Sequence, residues 1–111
     1  MTVTVKPLVV AKYLENSLTT QYAANNVRAI IDKFTVTNVS SSNVSVDVHL
    51  VPVSRSADVS NTIVDNRVIA PQETYTFPEL VGHSLEPGGS IAVVASAASA
   101  TVLRISGREV T

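Results

Sequence analysis

From Asn43 to Leu50 apolar and polar residues take turns, with Val44, Val46 and Val48 separated by Ser45, Asp47 and His49. A repeat of two puts every second side chain on one face, the pattern of an antiparallel strand with one face buried and one wet. Val- and Ile-rich segments of the same kind recur along the chain, and no long 3.6-residue periodicity lies between them. The expected fold is therefore all-β: an antiparallel β-sandwich, jelly-roll-like, of about eight strands in a single domain. The strands are expected near residues 2–10, 18–23, 27–37, 43–53, 62–69, 73–77, 90–97 and 100–106. Turn chemistry punctuates them: Ser-rich runs at 38–43 and 54–61, a corner at Ala70-Pro71-Gln72-Glu73, and Glu86-Pro87-Gly88-Gly89, where glycine accepts positive φ.

Parity predicts the core. In the strand at 27–37, Ile30, Phe34 and Val36 form the expected inner face and Lys33, Thr35 and Thr37 the outer one, although Ala29 and Ile31 break the pattern at its start. In the last strand Leu103 and Ile105 should be inside and Arg104 outside, and Phe34 and Phe77 are expected in the core. Segment 11–17 would make about one and a half helical turns without firm caps, too short to hold as a helix, and is read as a loop.

Composition sets limits on function. A chain of 111 residues fits one domain, 1–111, and at this length folding removes roughly two-thirds of the unfolded surface from water. The formal charge of −1 supplies no basic field for nucleic acid or anionic lipid. The absence of cysteine excludes disulfides, thiolate nucleophiles and Cys-ligated zinc. No apolar run approaches the ~20 residues that span a bilayer, and the first ten residues read as a strand rather than a secretion signal, so synthesis in the cytoplasm is expected. No cofactor or metal is expected.

Few residues suggest chemistry. Ser45, Asp47 and His49 share a strand face, but alternate residues stand ~6–7 Å apart and no oxyanion hole accompanies them, so an ordinary solvated face is expected there rather than a triad or a metal pair. His83, before the Pro-Gly-Gly turn, is a surface residue with the option of an interface contact that titrates near neutral pH. Gly88-Gly89 lacks the spacing, lysine and helix of a phosphate loop. Asn38-Val39-Ser40 and Asn43-Val44-Ser45 match the glycosylation pattern by composition alone. Tyr13 or Tyr22 is the available platform for a sugar, in a chain without tryptophan.

Leu85-Glu86-Pro87-Gly88-Gly89-Ser90-Ile91-Ala92-Val93-Val94-Ala95-Ser96, followed by Thr101 to Glu109, resembles the C-terminal half of small β-sandwich proteins of tailed-phage virions. Leu18 to Tyr22 and Ile31 to Asn38 sit where that group has its early strands. In size the chain is similar to the capsid decoration, or staple, proteins of epsilon-fifteen-like short-tailed phages. The resemblance implies a jelly-roll-like, non-enzymatic protein on the outer surface of the expanded capsid, binding the major capsid protein, paired as a homodimer across two-fold axes, and clamping neighbouring subunits against packaged DNA. The alternative is a tail or fibre module that binds a cell-surface glycan. A small hydrolase is disfavoured because no nucleophile and base converge. Under the decoration reading, contacts are expected from terminal arms at 1–10 and 107–111, with Lys6, Pro7, Arg108 and Glu109, and from Arg55, Asp58, Arg67 and His83. Lys6-Pro7 suits an edge strand, because proline has no N–H for an interior ladder.

Overall fold

The computed structural model describes residues 1–111. It contains strands β1 (Val3–Tyr13), β2 (Thr19–Ala23), β3 (Arg28–Asn38), β4 (Val44–Val51), β5 (Thr62–Ile69), β6 (Thr74–Tyr75), β7 (Ser84–Leu85), β8 (Ser90–Ala95) and β9 (Thr101–Val110), with one 3₁₀ turn at Val59–Asn61 before β5. One antiparallel sheet has the order β1-β9-β3-β6, with β7 also on β3, and the other has the order β2-β8-β4-β5. The chain crosses between the sheets at every step except β4 to β5 and β6 to β7, giving the double-sheet jelly-roll-like arrangement expected from the sequence.

The core lies between the inner faces. Phe34 and Val36 of β3, Leu103 and Ile105 of β9, Val44, Val46 and Val48 of β4, and Ile91 and Val93 of β8 are all buried in it. Aliphatic side chains fill most of it. The two phenylalanines meet edge to face with centroids 4.9 Å apart, and Tyr75 adds a second such contact to Phe77 at 4.7 Å. Phe77 has a φ of 44°, a region bulky residues avoid, and its ring is fully buried. This turn ends the strand expected at 73–77 after Tyr75.

Four local expectations change. Ile30 is on the outer side of β3, while Ala29 and Ile31 are buried, because Asp32 forms a bulge: Ile31 pairs with Gly107 but Lys33 with Ser106. One extra residue flips the face of everything before it. Residues 11–13 continue β1 instead of opening a loop, with Tyr13 opposite Val102. Residues 84–85 form a short ninth strand on β3, a piece two residues long that carries no readable alternation. The tail expected at 107–111 is not a free arm. Residues 107–110 belong to β9, paired with β1 on one side and β3 on the other, and Thr111 donates its N–H to the Thr2 carbonyl at 2.9 Å.

Gly107 is where these strands crowd. A Cβ there would lie 2.2 Å from the Ile30 carbonyl oxygen and 2.9 Å from Leu8 Cδ1. Backbone cannot yield as a side-chain tip can. Gly107→Ala is expected to destabilise the fold by about 2 kcal/mol or more, measured by urea denaturation. Thr101 offers the opposite case, since its buried Oγ1 has no hydrogen-bond partner. Thr101→Val keeps the shape and removes the unpaired hydroxyl, so it should gain about 1 kcal/mol in the same measurement.

Candidate interaction surfaces

The residues singled out in the sequence fall into separate places. Ser45, Asp47 and His49 do share one side of β4, yet each is tied to a different neighbour. The Ser45 N–H donates to Ser96 Oγ at 3.0 Å. Asp47 Oδ1 accepts the Asn66 N–H at 2.5 Å, at a bulge in β5 where Asn66 takes a φ of 56°. His49 is buried, not solvated as expected, because the 54–61 loop folds over it. Its Nδ1 lies 3.0 Å from the Asp58 carbonyl and 3.1 Å from Asn61 Oδ1. No group of three His, Asp or Glu side chains is placed to share a metal ion. The Asp47 and His49 side chains position backbone, and at Ser45 it is the backbone that is held, by Ser96.

The 54–61 loop is built from its own polar groups. Asp58 caps the 3₁₀ turn by accepting the Ser60 N–H at 2.8 Å, and Asn61 reciprocates by accepting the Asp58 N–H at 3.1 Å. The Ser60 hydroxyl, followed by its N–H, holds the Asp58 carboxyl below its usual range. Arg55 donates to Ser60 Oγ at 2.9 Å across the loop. The outcome is a formed projection with Val59 91% exposed at its crest.

Arg67 lies on the edge strand β5 with its guanidinium 3.8 Å from the centroid of the Tyr75 ring. Tyr75 in turn donates its hydroxyl to Glu79 Oε2 at 3.0 Å. These residues, with Ile63, Asp65, Asn66 and Val68, line an open groove of about 630 Å³ along β5. A smaller depression of about 230 Å³ is lined by Leu50, Val51, Pro52, Val53 and Leu85 among others. His83 is exposed in the turn before β7, and only its backbone is engaged, its carbonyl accepting the Ile31 N–H at 2.9 Å.

Lys6, Pro7, Arg108 and Glu109 come together where β1 and β9 run side by side. Arg108 grips Asp32 across the outer face, Nη2 to Oδ1 at 2.9 Å and Nε to Oδ2 at 3.0 Å, a two-pronged pair that lifts the guanidinium pKa further. Glu109 points the other way, toward the second sheet, where the Tyr22 hydroxyl donates to its Oε2 at 2.5 Å. Lys6 Nζ stands 3.4 Å from its other oxygen. Partial burial and the neighbouring carboxylate push the Tyr22 hydroxyl well above its usual value, so Tyr22 is a half-buried strut and not an open sugar platform.

Two of these features have sequence signals that alternation alone does not decode. The broken parity around Asp32 marks its bulge, and Asn66 beside Asp65 is a residue pair that tolerates a left-handed turn. The Tyr22–Glu109 bond and the Arg67–Tyr75 stack join distant residues and have no local signal. Asn38, half of one glycosylation match, is fully buried and holds the Ser42 and Ile69 carbonyls at 2.8 and 2.9 Å, so that asparagine is structural. Comparison with family models, curated proteins and solved structures returns no match.

The Glu109 carboxyl is held below the usual carboxylate range, first by the Tyr22 hydroxyl and then by Lys6, against the opposing effect of burial. A depressed folded-state value means the ionised form is the stabilising one. Its contribution is complete above the ordinary carboxylate range and is lost as pH falls through the depressed value. Glu109→Gln should therefore cost about 1 kcal/mol at neutral pH, and its stability curve should merge with the wild type in acid. Chemical denaturation across pH 2–7 checks this.

Proposed function

We propose that this protein is a structural component of a tailed-phage virion: a decoration protein on the outer surface of the expanded capsid that clamps neighbouring subunits of the major capsid protein. The sequence resemblance supplies the class. The observation that carries the reading is the disposition of the polar side chains. The Asp47 and His49 side chains are spent on holding backbone and the Ser45 backbone is itself held by Ser96, while what faces outward is sheet edge, a projecting loop and scattered valines. Such surfaces are suited to contact.

A staple on a shell needs rigidity more than a strong single contact. An ordinary specific interface buries about 800 Å² on each partner, a sizeable share of a molecule with 5742 Å² of surface. Binding two subunits at once raises the effective concentration at each site, and pairing of two copies across a two-fold axis would double the reach. The long, flattened form, 45 × 27 × 20 Å, suits a clip laid over a seam. The glycan-binding alternative is left with a single open ring, Tyr13 at 56% exposure, because Arg67 covers the Tyr75 ring and Tyr22 is committed to Glu109.

Purified protein is expected to bind expanded shells in preference to precursor shells, and particles lacking it should release DNA at a lower temperature. Light scattering with a DNA-binding dye during heating reads both. Identical release temperatures with and without the protein would overturn the proposal.

A further inference from the structure

The outer edge of β1 is open to the end of the molecule, and its first residues have an internal symmetry. Thr2 and Thr111 exchange both backbone hydrogen bonds, Thr2 N–H to Thr111 at 3.3 Å and Thr111 N–H to Thr2 at 2.9 Å. In an antiparallel ladder such pairs alternate, and the register runs unbroken from Val3–Val110 to Pro7–Ser106. Thr4 and Lys6 therefore direct their backbone groups at β9, and Val3, Val5 and Pro7 direct theirs outward. Proline stands where a missing N–H leaves the internal ladder intact.

The free edge is usable over one short stretch only. Register shifts interrupt β1 between Pro7 and Val9 and again between Val9 and Lys12, and bulges with proline are devices that block strand addition. What remains open is Val3-Thr4-Val5, with the Val3 and Val5 side chains 51% and 77% exposed. This segment reads the same in both directions.

We infer that Val3–Val5 of β1 pairs antiparallel with the same segment of a second copy about a two-fold axis at Thr4, joining two sheets edge to edge. In that register Val3 faces Val5 of the other copy as a hydrogen-bonded pair, twice over by symmetry, and the valines meet side by side on the outer face. Thr4 faces its own symmetry mate on the inner face. No like charges collide, since the two Lys6 residues lie two positions either side of the axis, ~14 Å apart along the strands, and each is already beside Glu109. Pro7, then the bulge, ends the ladder. This rests on the decoration reading only for its purpose, as it specifies the homodimer contact that reading proposes; the pairing itself needs no shell.

The test uses the isolated full chain. Sedimentation velocity from about 10 μM to 1 mM should show a concentration-dependent shift to dimer, and the Val3 and Val5 amides should exchange more slowly as concentration rises, while the Thr4 amide stays protected throughout. Val5→Pro removes one outward N–H and spares the β9 ladder, so it should weaken dimerisation about tenfold or more. A charge pair tests the register without proline. V3K/V5K sets lysine against lysine and should abolish the dimer, whereas V3E/V5K sets glutamate against lysine and should restore it. A chain monomeric at 1 mM, a dimer indifferent to these variants, or equal behaviour of the two charge variants would each overturn the inference. Because shells are absent, these outcomes are separate from failure of the decoration proposal.

Discussion

Everything in this molecule depends on β9 lying in the middle of its sheet with a clean inward face. Leu103 and Ile105 fill the centre of the core from that strand, and Gly107 lets β1 and β3 close around its far end where any side chain would meet the Ile30 carbonyl. Three strands are thereby held together at that end. Glu109 can reach Tyr22 of the other sheet, and Arg108 can grip Asp32 on the outer face, only because the strand alternates without interruption past that glycine.

Much of this was legible in the sequence because alternation is a direct consequence of strand geometry. The core positions of β4 and β9, the burial of both phenylalanines and the jelly-roll-like sandwich follow from it. What escaped was whatever depends on a change of phase or on a distant partner. Parity puts Ile30 inward, because a bulge at Asp32 has no signature beyond the broken parity it causes. The 107–111 segment reads as a polar tail, since Gly107, Arg108 and Glu109 lack apolar side chains, yet a glycine and two paired charges are what a crowded strand end uses. Alternation places His49 in water, because the loop that buries it depends on Asp58 and Asn61 capping a turn above it.

The candidate site was legible as an inventory rather than as an arrangement. Sequence pattern and resemblance mark Lys6, Pro7, Arg108 and Glu109 for contact, and all four gather along β1 and β9. There all three charges are paired within the molecule, and the proline marks where the open edge stops. Arg55 and Asp58 turn out to be partners within one loop, bridged by Ser60, that lifts Val59 into solvent. The recurring theme is polar chemistry used for stiffness, which leaves the contact itself to backbone edges and small aliphatic side chains.

The pairing of Val3 with Val110 has a temporal side. β1 has β9 as its one sheet neighbour, made eight strands later, so sheet closure must follow synthesis of β9 rather than accompany it. Contacts this remote in sequence carry a large loop-closure entropy and favour slow folding. Throughout that interval β1 exposes both of its edges, and the proline and bulges that interrupt it guard an unfinished chain as much as a finished one.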